Sequence, residues 1–277
     1  MAETNTGLCG QLRKMHTRLE SPVAYQLPLG ETLVDLNEHL GRPIKLTFTG
    51  EINCLHCGRK TKKSFSQGYC YPCFTRLPQC DSCIVKPEKC HFHEGTCRDP
   101  AWGERHCFQP HVVYLANSSG VKVGITRGEQ VPTRWIDQGA IQALPILEVD
   151  NRLHSGLIEQ IIAAHVSDKT NWRTMLKGQV EPIDLLAERD RLLELCALQL
   201  NALRDQYGQD AIRALDANIV DIEYPVLAYP AKVATHNFDK NPEVAGVLQG
   251  IKGQYLILDT GVINIRKFAA YNVQLSF

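Results

Sequence analysis

Two pairs of cysteines, Cys54-Leu-His-Cys57 and Cys70-Tyr-Pro-Cys73, stand twelve residues apart. A C-x2-C turn aims two thiolates at one point, and two such turns supply the tetrahedral sulfur set that zinc prefers. Gly58 and Gly68 suit the tight turns this needs. Arg59, Lys60, Lys62 and Lys63 lie between the pairs, interleaved with Phe65, Tyr69 and Tyr71, and no acidic residue occurs from Cys54 to Cys80. Cations of this kind neutralise phosphates and aromatics stack on unpaired bases, so these four are candidate nucleic-acid contacts. The competing reading is a solvated basic loop on a purely structural staple.

A second group follows. Cys80-Asp-Ser-Cys83 repeats the knuckle spacing, and Cys90, His91, His93, Cys97, His106 and Cys107 come after it. Either Cys97 with Cys107 or Cys90 with His93 would complete a four-ligand site. The surplus of thiols also suits an iron–sulfur cluster. The expected cofactors are therefore one or two structural zinc ions, with an iron–sulfur cluster as the alternative in the second group.

These readings depend on compartment. Nine of the eleven cysteines fall between Cys54 and Cys107. Met1-Ala-Glu-Thr-Asn-Thr6 lacks the basic-then-apolar layout of a secretory signal, and no apolar run reaches about 18 residues. The expectation is a cytoplasmic chain without a membrane span, where thiols stay reduced and bind metal instead of pairing. The formal net charge of +0 neither favours nor excludes an anionic partner, since a local patch is enough to bind one. Cys196 sits in a helical pattern and reads as a small core residue.

The elements that position these groups divide the chain of 277 residues into five stretches. Residues 1–53 form a β-rich segment, with Val23–Leu27 and Ile44–Thr49 as its clearest strands. Residues 54–110 are Cys-rich, with a zinc ribbon over 54–73 and the second cluster over 80–107. Within 111–180, His111–Ala116 and Val121–Thr126 read as a hairpin around a four-residue loop. Pro132–Gln138 then reads as a short helix, 143–149 as a strand, and 156–166 as a helix capped by Ser155. Residues 181–220 read as one long helix from Pro182 to Tyr207, on an acidic stretch whose charges belong to a solvated face. Short strands over 221–277, separated by glycines, predict a small β-barrel. Its strands could share one β-domain with the N-terminal segment, because residues 45–52 and 246–253 look alike.

Within 111–180 the order Tyr114, Lys122-Val-Gly124, Arg134 and Glu159 resembles the GIY-YIG nuclease superfamily. In particular it is similar to an uncharacterised bacterial branch with a Cys-rich region before the nuclease-like domain. Tyr114 matches the Tyr of the first motif and Gly124 the Gly of the second. Val112 replaces the first Gly, and Lys122 stands where a second Tyr is usual. The resemblance implies an α+β fold and a divalent-metal-dependent endonuclease hydrolysing phosphodiester bonds. It also implies a catalytic set of Tyr114, Lys122, Arg134 and Glu159. Glu159 would bind Mg²⁺ or Mn²⁺, Arg134 would clamp the phosphate, Tyr114 would position or deprotonate water, and Lys122 would lower the Tyr114 pKa or hold the phosphate. The alternatives are a non-catalytic zinc-dependent nucleic-acid-binding or regulatory protein and a redox-responsive iron–sulfur protein.

Overall fold

The computed structural model describes residues 7–166 and 169–277. These form two compact units, one comprising the chain through Thr75 with Leu176–Gly178 and Glu223–Phe277, the other Arg76–Met175 and Gln179–Ile222. In chain order the strands begin with β1 (Leu8–Gln11), β2 (His16–Arg18), β3 (Ala24–Leu29), β4 (Thr32–Asp35), β5 (Pro43–Asn53), β6 (Lys60–Thr61), β7 (His111–Asn117) and β8 (Val121–Arg127). They continue with β9 (Gln142–Val149), β10 (Ile212–Ala214), β11 (Val220–Asp221), β12 (Glu243–Lys252), β13 (Tyr255–Leu258), β14 (Gly261–Asn264) and β15 (Tyr271–Ser276). The helices are α1 (Tyr71–Arg76), α2 (Ser82–Val85), α3 (Pro100–Cys107), α4 (Thr133–Asp137), α5 (Arg152–Ala163), α6 (Trp172–Leu176), α7 (Leu185–Leu195) and α8 (Ala197–Tyr207).

In the first unit the strands run β1-β15-β5-β12-β13-β14, with β6 beside β5. Strands from both chain ends thus share one sheet, and the look-alike segments lie on the neighbouring strands β5 and β12, which pair with Lys45 opposite Ala245 and Gly246 opposite Ile44. The sheet is open. β1 and β14 are its edges, so the small barrel expected for the terminal segments does not close. Two of the barrel's expected strands are missing: Val226 and Thr235 make single bridges, to Gly250 and Val262. Pro225 and Pro230 flank the first of these stretches, and a proline cannot donate to a ladder. β2, β3 and β4 form a separate sheet.

In the second unit the order is β10-β9-β7-β8, with β11 beside β9. β7 is central and buried along its whole length. Side chains alternate between faces with period two. Val113, Leu115 and Val123 join the core that also takes Ile158, Leu192 and Leu200 from α5, α7 and α8. Tyr114 and Ala116 alternate with these core residues, and they lie directly opposite Gly124 and Lys122 on β8.

Three local expectations are corrected. The β7–β8 loop has three residues, 118–120, because Asn117 and Val121 still pair. Helix α5 begins at Arg152, where Asn151 accepts from the His154 N–H at 2.9 Å. Ser155 lies inside the helix and its hydroxyl donates to the Arg152 carbonyl at 2.7 Å. The long helix is two, broken at Cys196, whose ψ of 2° departs from helical geometry. Among the described residues no helix is long and apolar enough to cross a membrane.

Candidate metal centre and phosphate site

The first knuckle leaves β5 directly and turns through Gly58 at φ 70°, where its N–H donates to the Cys54 carbonyl at 2.9 Å. The second enters α1. Gly68 sits between them at φ 145°, and a Cβ there would lie 2.4 Å from Leu55 Cδ1, so only glycine fits this backbone. The Sγ atoms of Cys54, Cys57, Cys70 and Cys73 all lie within 4.8 Å of one another, and those of Cys57 and Cys70 are 3.7 Å apart. A tetrahedron with metal–sulfur bonds of about 2.3 Å has sulfur–sulfur edges of about 3.8 Å. The four cysteines can therefore hold a single metal ion such as zinc.

The thiols are already polarised by this crowding. Burial raises the Cys54 pKa, yet the backbone N–H groups at Cys57, Cys70 and His56 and the Cys57 side chain outweigh it and lower it to about 6. Burial, with the neighbouring sulfurs of Cys70, Cys57 and Cys54, pushes Cys73 up to about 12. A divalent cation relieves this packing of thiolates, and its binding releases the protons that remain.

Of the basic residues in the ribbon, Arg59, Lys60, Lys62 and Lys63 are all exposed. Lys60 pairs with Glu51 at 2.6 Å, and the Lys63 ammonium lies 5.2 Å from the Phe65 ring centre.

The second group of cysteines is arranged differently. Cys83, Cys90, Cys97 and Cys107 line one cavity. Cys80 is buried in the turn Pro78–Cys80 and is not among the cavity's lining residues. A closer set of three, Asp81, Cys83 and His91, lines the same cavity.

Tyr114, Gly124, Arg134 and Glu159 come from β7, β8, α4 and α5. Tyr114 is fully buried, with its ring edge-on to Trp135, and its hydroxyl donates to Gln138 Oε1 at 3.2 Å. Burial pushes the phenol up to about 12; nearby Arg134 opposes this and Glu159 reinforces it. Tyr114 therefore stays a phenol near neutrality and serves as a hydrogen-bond donor. Lys122, two residues from Gly124, is buried as well.

Further cations gather here. Burial lowers the Arg152 pKa, and its neighbours include Cys107, Cys83, Arg134 and Arg127. His111 faces Arg152 and Arg127, and burial takes its pKa down to about 4. Its Nδ1 lies 2.7 Å from the Gln109 carbonyl, so Nδ1 carries the proton and Nε2 is an acceptor. That Nε2 is buried without a partner. Sequence reasoning missed Arg127, Arg152 and Gln138. Gln138 had a signal, one turn beyond Arg134; the arginines had none, because β8 and the start of α5 meet only in the fold.

The chain belongs to the family described as "Protein of unknown function (DUF2797)", whose profile matches residues 41–273. No curated protein and no solved structure matches it.

Proposed function

We propose that the second unit is a GIY-YIG-like phosphodiesterase domain and that the chain processes nucleic acid. The observation that carries this reading is the convergence of Tyr114, Arg134 and Glu159 from three separate elements, with Gly124 directly opposite Tyr114. A clamp for a phosphate needs fixed cations where negative charge develops. Arg134 offers a planar fork of donors, and Arg127 and Arg152 add positive charge around it. Glu159 is the hard oxygen donor for Mg²⁺ or Mn²⁺, which would supply Lewis-acid activation of the phosphate. Tyr114, held as a phenol, orients water or a phosphate oxygen by transferring to it the donation it makes to Gln138. The exposed cations of the ribbon, Arg59, Lys60, Lys62 and Lys63, support binding of a polyanion along the other unit.

The test is cleavage of labelled single- and double-stranded DNA and RNA with Mg²⁺ or Mn²⁺, comparing the wild type with Glu159→Ala and Arg134→Ala. Cleavage by the wild type that either substitution abolishes is the expected result. If the wild type cleaves none of these substrates yet binds them with salt-dependent affinity, the phosphodiesterase reading fails and the non-catalytic binding reading replaces it.

A further inference from the structure

Four cysteines outside the ribbon come from four short elements and meet at one cavity. Cys83 lies in α2 and Cys90 follows the turn Pro87–Lys89, while Cys97 lies in the loop before α3 and Cys107 is the last residue of α3. Phe92 and Trp102 complete an apolar wall around them. Gly103 lets the α3 backbone come close: a Cβ there would lie 3.3 Å from the Phe92 ring and 3.4 Å from the Cys97 sulfur.

We infer that Cys83, Cys90, Cys97 and Cys107 are the four thiolate ligands of an iron–sulfur cluster. The spacing of the sulfurs carries this. At the ribbon all four sulfurs fall within 4.8 Å of one another, as a single ion requires. At this cavity no three of the four meet that distance, although all four line it. A single zinc ion draws its four sulfurs to separations of about 3.8 Å, whereas a polynuclear cluster takes each thiolate on a different part of its core.

The closer set of Asp81, Cys83 and His91 is engaged within the protein. Asp81 accepts from the Ser82 N–H at 2.6 Å with one oxygen and pairs with Arg98 at 2.9 Å through the other. His91 Nδ1 lies 2.7 Å from the Thr96 hydroxyl. These groups brace the loops that carry Cys83, Cys90 and Cys97.

A second observation points the same way. The Arg152 Nε–H is buried without a protein partner, and Cys83 and Cys107 are among the groups that act on it electrostatically. A hydrogen bond to a cluster or thiolate sulfur would satisfy that donor, and the guanidinium would balance the cluster's negative charge.

The experiment is anaerobic purification of the full chain, followed by its visible spectrum and by zinc, iron and acid-labile sulfide analysis. The expected protein is brown and contains iron and sulfide in equal amounts, beside about one zinc held by the ribbon. Cys90→Ser and Cys97→Ser should lose iron and sulfide and keep the zinc. Cys57→Ser should do the reverse, and Cys80→Ser should keep both. Because such variants can fail to fold, the wild type's own composition is decisive. A second zinc with no sulfide, or a wild type still colourless after reconstitution with iron and sulfide, would overturn the assignment. So would a colour that survives in soluble Cys90→Ser. None of these readouts depends on the chain being a nuclease.

Discussion

Gly124 and Tyr114 face each other across the β7–β8 ladder, and substituting the glycine tests whether this pair builds the site. A Cβ at Gly124 would lie 2.7 Å from Tyr114 Cζ and from its hydroxyl oxygen, and 3.0 Å from Cε2. Gly124 is not among the residues with positive φ, so Gly124→Ala carries no backbone strain and its cost is steric. The ring has no room to yield: Tyr114 is 0% exposed and packs edge-on to Trp135 at 6.0 Å between centroids. Overpacking of this kind costs about 1–3 kcal/mol, against a gain of about 0.5–1 kcal/mol from replacing glycine within a strand. In a unit of this size, roughly 2–4 °C of melting temperature is lost per kcal/mol. The assay is thermal and urea unfolding of the wild type, Gly124→Ala, Tyr114→Ala and the double variant. Without the ring the added methyl has space, so the penalty of Gly124→Ala should shrink and the coupling should reach about 1–2 kcal/mol. If the two substitutions instead add to within about 0.5 kcal/mol, the glycine is not there to admit the tyrosine.

Cys70→Ser should strip the metal from the ribbon and unfold residues 54–73, because only a two-residue ladder to β5, a few side-chain hydrogen bonds and a small cluster of aromatics would be left to hold them. Zinc release followed with a chromogenic chelator should also rise as pH falls, since the ligands must be thiolates. Lys252→Met should stabilise the first unit. Lys252 is 0% exposed, and its ammonium has no hydrogen-bond partner, only the faces of Tyr224 and Tyr229 at 5.1 and 5.4 Å. Burial takes its pKa from 10.5 down to about 8, which at about 1.4 kcal/mol per pH unit amounts to roughly 3 kcal/mol. Below pH 8 both folded and unfolded chains carry the proton and the folded one bears the penalty. Between pH 8 and 10.5 the unfolded chain binds the proton more tightly, so wild-type stability climbs with pH. Urea midpoints for Lys252→Met that show the same climb would sink this account.

Local chemistry was legible in the order of residues. The two knuckles and their glycines could be read because a C-x2-C turn is closed by a few neighbouring atoms. The β7–β8 hairpin, α4 and β9 likewise follow from period and turn residues over short spans. Even the set Tyr114, Gly124, Arg134 and Glu159 could be named in order, since each sits at a predictable point of its own element. What depends on distant residues could not be read this way. Asn151 displaced Ser155 as the cap because α5 starts one turn earlier. Cys196 broke the long helix where its two halves pack on one core. The terminal strands made an open sheet because β1 and β14, at the two ends of its strand order, do not pair with each other. Above all, nine clustered cysteines offered several ligand sets of equal spacing. Only the tertiary packing sorts them, drawing one four-sulfur set to single-ion distance and spreading another around a wider cavity. Sulfur–sulfur separation is set by the backbone that carries each turn, and spacing along the chain does not encode it.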